Sequence, residues 1–223
     1  MLRRNSTPKD GILSRFCPSY GNGKTTRGEE RMDFRGLEGK RVSLVPLREE
    51  HAEALYACGR DPAIWPHYPA ATAIATMEDA GRFVRKALDM RDKGEHFPFL
   101  VFDKELGRAV GSTRFNRISA EHRNLNIGTT WYNPEVWRTR VNTECKMLLL
   151  AHAFEAWRAV RVEFVTTTDN ELSQRAIERL GAVREGVLRQ KYNGMDYVVY
   201  SILDREWPDV KRKLQSFLDN DRV

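Results

Sequence analysis

Three strand-like runs follow one another between Phe97 and Tyr132 with only turn residues between them: "FPFLVFD", "RAVGSTRFNRI" and "RNLNIGTTWY". Connections this short join antiparallel neighbours, because a parallel crossover needs a dozen or more residues. After Tyr132 the pattern changes. A long apolar helical run leads to the strand "RVEFVTTT" and the helix "NELSQRAIERLG". The strands "VREGVLRQKY" and "YVVYSILD" then flank the hairpin turn Asn193-Gly194. Upstream lie a strand, "KRVSLVPL", a helix closed by Gly59, and a second helix that starts at the Thr76 cap. A last helix, "REWPDVKRKLQSFL", closes the chain. The order β-α-α-β-β-β-α-β-α-β-β-α cannot make a purely parallel doubly wound sheet. It predicts an α/β (α+β) fold with a mixed, mostly antiparallel central sheet and helices on both faces.

With 223 residues and 41% hydrophobic content, the chain has enough apolar material for one well-buried domain. No apolar run approaches the roughly 20 residues of a membrane span, so no membrane partner is expected. The cysteines, Cys17, Cys58 and Cys145, have no metal-ligand spacing, and no metal is expected. A reducing, cytoplasmic setting fits them. Residues 1–33 carry seven Lys and Arg against four Asp and Glu, and hold much of the net charge of +6. They show no hydrophobic period. They are expected to be a disordered tail, or an artefact of gene calling upstream of Met32, with the folded domain spanning 34–223. A basic nucleic-acid face is therefore not expected.

The stretch "VWRTRVNTECKMLLL" poses a functional question. Arg138 and Arg140 precede a helix whose N-terminus already carries roughly half a positive charge. Two cations there oppose the dipole unless an anion binds, and free N–H groups with added cations suit a phosphate. The bland alternative is that Asn142 or Thr143 caps the helix and the arginines are solvated. The helix itself is apolar around much of its circumference and should be buried. In the next helix, Ser173 shares a face with Ala176, Ile177 and Leu180. With Asn170 as N-cap, Ser173 sits at the third helical position, where a hydroxyl can serve the helix itself.

The segments "NIGTTWYNPEVWRTRVNTECKMLLLAHAFE", "RVEFVTTTDNELSQRAIERLGAVREGVLR" and "YSILDREW", in this order, resemble the GNAT superfamily of N-acetyltransferases. The branch they are similar to includes the ribosomal-protein N-terminal acetyltransferases. The resemblance implies that "NIGTTWY" and "RVEFVTTT" splay apart and that acetyl-CoA lies in the gap as cosubstrate. Backbone groups of Trp131 and Tyr132 would meet the acetyl carbonyl. Arg138, Thr139, Arg140, Val141, Asn142 and Thr143 would receive the pyrophosphate, although this loop lacks the glycines many family members use there. Asn170 would contact the pantetheine arm, compatibly with capping, and Ser173 would protonate the departing thiolate.

A general base is not assigned. Many family members place an acidic residue before the Ile-Gly of this strand, where this chain has Asn126, and Glu121 and His122 lie in the preceding turn. Arg114, Asn116 and Tyr192 would border the acceptor. Trp65, His67 and Tyr68 either enclose it or serve as core plugs. Cys145, among leucines, reads as a core thiol rather than a nucleophile. The function expected is acetyl transfer to a primary amine, a small molecule or a protein N-terminus, by direct attack in a ternary complex of a monomer or homodimer. The alternative is a non-catalytic acyl-CoA-binding or nucleic-acid-associated regulator on the same fold.

Overall fold

A computed structural model describes residues 34–220; the expected tail, 1–33, lies outside the described residues. The strands are β1 (Leu37–Glu38), β2 (Val42–Pro46), β3 (His96–Asp103), β4 (Arg108–Ser119), β5 (Asn124–Ile127), β6 (Trp131–Tyr132), β7 (Arg161–Thr167), β8 (Val183–Tyr192) and β9 (Met195–Leu203). The α-helices are α1 (Ala52–Gly59), α2 (Met77–Asp92), α3 (Val141–Ala151), α4 (Glu171–Leu180) and α5 (Trp207–Asp219). The sheet order is β1-β2-β3-β4-β5-β7-β9-β8, with β6 also pairing β4. Among the described residues only β5 and β7 run parallel; the other pairs are antiparallel, those from β3 to β5 joined by the short connections that require it.

Two cores cover the two faces of this sheet. On one face α1 and α2 bury Leu55, Ala80, Val84 and Leu88 against Leu100, Phe102 and Trp131. On the other, α3, α4 and α5 bury Leu149, Leu150, Ile177 and Leu214 against Phe99, Phe115, Phe164 and Ile202. Local signals set several of the helix ends. The Thr76 hydroxyl accepts from the Asp79 N–H at 3.1 Å and the Asp79 carboxylate returns to the Thr76 N–H, a closed capping box for α2. Gly181 ends α4 at φ 100°, a left-handed conformation that a side chain would resist.

Two expectations are refined. The run "RNLNIGTTWY" is not one strand: the chain leaves β4 after Ile127 and rejoins it at Trp131. The apolar helix begins at Val141, so Asn142 and Thr143 lie inside it rather than capping it, and its final stretch, His152–Ala156, is wound as a π-turn. That turn lets Trp157 pack between Phe115 and His152, at 4.6 Å from each ring.

Candidate active site

The register between β5 and β7 defines the site. Pairing runs from Asn124–Arg161 to Asn126–Glu163 and then stops. Beyond it, β7 continues through Phe164–Thr167 on β9 alone, while β6 pairs only β4. The two strands therefore diverge into a fork with an unpaired backbone edge on each side. Asn133 donates to the Val110 carbonyl at 2.8 Å. Because antiparallel ladders alternate, the Tyr132 N–H then points away from β4, toward the open edge. A Cβ on Gly111 would overlap the Trp131 carbonyl oxygen, so glycine is what lets β6 close on β4.

Trp131 and Tyr132 bring their backbone to this edge, but their side chains are core. The Trp131 ring lies 5.2 Å from Trp65 and 6.0 Å from Phe83. The buried Tyr132 hydroxyl is held well above the usual tyrosine range by desolvation. Trp65 packs as a plug, with its indole N–H on the Gly59 carbonyl at 2.8 Å. Tyr68 donates its hydroxyl to the Thr130 carbonyl, and its burial raises its pKa. His67 reaches Asp169 at 3.5 Å, spanning from the irregular segment to the loop before α4.

The approach to α3 contains no glycine, and Arg138 itself adopts a left-handed backbone, φ 60°. For a residue with a Cβ such a conformation costs roughly 1–2 kcal/mol. The Thr139 hydroxyl bonds the Val136 carbonyl at 2.7 Å and receives the Val141 N–H at 3.3 Å. The Asn142 and Thr143 N–H groups have no acceptor among the described residues, and no side chain caps the helix. The Thr143 hydroxyl is buried without a partner. Arg138 is exposed. Arg140 differs: its guanidinium donates to the carbonyls of Leu218, at 3.2 Å, and Asn220, at the end of α5. Across the fork, Asn170 accepts the Ser173 N–H at 3.0 Å, and Ser173 is half-buried in the first turn of α4.

One cation escaped the sequence reading of the site's core. Lys146, one turn into α3 and 6% exposed, donates to the Thr130 hydroxyl at 2.6 Å and lies 5.8 Å from the Phe164 ring centroid. It therefore touches both arms of the fork. Desolvation pulls its pKa down to about 8. The signal available was a lysine on a helix whose neighbours are nearly all apolar. Glu144, beside it, spends its carboxylate on the backbone N–H groups of Arg41 and Val42, at 3.1 and 3.2 Å. Arg114 on β4 is 8% exposed and also lowered by desolvation, to about 10. Asn126, where a base was sought, is buried with its amide nitrogen unpartnered. Burial raises the Cys145 thiol, which suits a core residue.

The sheet is mixed and opens between two central strands, with a helix start that no side chain caps beside the opening. Residues 41–183 match the model of the acetyltransferase (GNAT) domain, and the chain belongs to that family. It is 28% identical over 171 residues to the uncharacterized N-acetyltransferase YoaA of Bacillus subtilis, covering 75% of this chain and 96% of the relative. A GCN5-related N-acetyltransferase structure from Brucella melitensis superposes with a TM-score of 0.79 at 26% identity, covering 86% of this chain and 88% of that one. RimJ of Mycobacterium smegmatis, solved with CoA-disulfide, shares the fold, with a TM-score of 0.70 at 19% identity over 79% of this chain and 88% of its own. No helix among the described residues is long and apolar enough to cross a membrane.

Proposed function

We propose that this acetyltransferase moves the acetyl group of acetyl-CoA to a primary amine by direct attack within a ternary complex. The observation that carries the reading is the fork: β7 leaves β5 after Glu163, and the open edge of β6 and the unsatisfied start of α3 flank the gap. A thioester-bearing arm fits between two unpaired strand edges because both offer backbone hydrogen-bonding groups. The Asn142 and Thr143 N–H groups, the Thr143 hydroxyl and the exposed Arg138 suit the pyrophosphate. Thr139 and Val141 shape that turn, and Arg140 holds it to α5. Asn170 would meet the pantetheine while still capping α4.

In the reaction, the neutral amine attacks the thioester carbonyl carbon and the acceptor's surplus proton leaves to water. The Tyr132 N–H would stabilise the oxyanion of the tetrahedral intermediate. The carbon–sulfur bond then breaks, and the thiolate takes the Ser173 hydroxyl proton, which solvent replaces. The rate rests chiefly on positioning and on the backbone donor.

The test combines calorimetry of CoA binding with thiol release from acetyl-CoA over a panel of amines, amino acids and peptides. CoA binding with amine-dependent thiol release, and the acetylated amine in the mass spectrum, is expected. Binding without turnover on any acceptor would instead favour a regulator on this fold.

A further inference from the structure

Arg114 is a buried cation near the fork that the mechanism does not use. A guanidinium cannot shed its charge in a protein, so its burial needs a partner. Here the neighbours are a histidine nitrogen, His96 Nδ1, at 3.4 Å and the face of Phe83, at 5.2 Å. No carboxylate lies within ion-pair distance among the described residues, and Nε has no hydrogen-bond partner. His96 offers no compensating charge: desolvation, with Arg114 adding to it, lowers its pKa to about 4, so it is a neutral ring. By contrast, the buried carboxylate of Asp103 is fully matched by Arg41, at 2.7 to 3.2 Å.

Its place in the fold gives this orphan cation a use. Arg114 lies two residues along β4 from Ser112, the partner of Trp131, which is about 7 Å of strand. Its backbone carbonyl accepts the Gly128 N–H at 3.0 Å, inside the break between β5 and β6. The guanidinium lies on the α2 face, where Phe83 also contacts the Trp131 ring. Lys146 reaches the fork from α3, on the opposite face.

Resting on the acetyl-transfer reading above, we propose that Arg114 receives a carboxylate carried by the acceptor itself. The acceptor class is then a small amino acid, with its carboxylate about one residue length from the reacting amine, rather than a plain amine or a protein N-terminus. Arginine suits this task because its planar fork can bind both oxygens of a carboxylate.

The experiment compares matched acceptors that differ only in the carboxylate: phenylalanine against phenethylamine, lysine against cadaverine, and a tripeptide amide as the N-terminus probe. Each is assayed on wild type, Arg114→Met and Arg114→Lys. Wild type should favour the carboxylate-bearing member in kcat/KM by about tenfold to hundredfold, the worth of one charge-assisted contact. Arg114→Met should erase that ratio, lowering kcat/KM on the carboxylate-bearing member far more than on its plain-amine partner. Arg114→Lys should retain part of the preference. Equal rates on both members in wild type overturn the proposal without recourse to any variant, so a misfolded Arg114→Met cannot shield it. A preference for the tripeptide amide, or a ratio that survives in folded Arg114→Met, overturns it as well. Failure of the acetyl-transfer reading looks different, since no acceptor then releases thiol, and this proposal falls with it.

Discussion

The two helices that begin beside the fork complete their first turns in opposite ways. At the start of α4 the Asn170 side chain takes the Ser173 N–H, and backbone carbonyls take those of Glu171 and Gln174. At the start of α3 no side chain caps the helix, and the N–H groups of Asn142 and Thr143 are left without acceptors among the described residues. Both helices are packed on one core. The first turns differ in burial, with Val141 and Thr143 buried and Glu171 and Leu172 exposed, and in what each end is left to bind. A self-capped end is finished by its own sequence, whereas an open, buried end carries desolvated donors that an anion can satisfy.

The sharpest test of the contrast is Ser173→Ala. If α4 only caps itself, turnover should not change, because the cap uses the Asn170 oxygen and the Ser173 backbone. If the hydroxyl serves as proton donor, kcat should fall about 10²–10⁴-fold with little change in CoA affinity. Steady-state kinetics beside calorimetry separates these outcomes.

Lys146 tests what burial of a cation inside α3 costs. Below pH 8 the folded and unfolded states both hold its proton, and the desolvation cost is fully present. As pH rises from about 8 toward the ordinary value of 10.5, the folded state has released the proton and the unfolded state keeps it. Wild type should therefore gain stability across that window relative to Lys146→Met, by on the order of 2 kcal/mol. Denaturant titrations of both proteins at pH 7 and 9.5 read the difference, and parallel stability profiles would refute the lowered pKa.

Arg138 and Arg140 sharpen the comparison at the open end. Arg138→Ala should weaken CoA binding about tenfold to hundredfold and leave the apo protein intact. Arg140→Ala should cost the apo protein about 1 kcal/mol, because it uncaps the carbonyls that close α5. Two cations set against a helix dipole, taken alone, would have the apo protein unharmed or slightly stabilised by either loss. Melting temperature and CoA affinity, measured on each single variant, tell the two roles apart.

The smallest effect belongs to the finished end. Asn170→Ala should lower stability by about 1 kcal/mol through the lost cap. A drop in CoA affinity beyond that would show that the same side chain also meets the ligand. An unchanged melting temperature would remove the basis for calling α4 self-capped.

Much of this arrangement was legible in the chain. Short connections between Phe97 and Tyr132 dictated antiparallel pairing, and local chemistry marked Thr76 and Asn170 as helix starts. These features depend on near neighbours, so the sequence carries them in full. Charge and dipole together raised the expectation that residues 138–143 receive an anion, which the proposed function retains. What tertiary structure alone decided was the use of each group. The break between Ile127 and Trp131 follows from β6 settling on Gly111. Arg140 is drawn to α5, nearly 80 residues away in sequence, while Arg138 stays exposed. Lys146 and Arg114 end up buried near the fork from opposite faces of the sheet. The apolar helix around Lys146 hinted at burial, but the use of each charge depends on what surrounds it after folding, and desolvation exists only once the chain has closed around it.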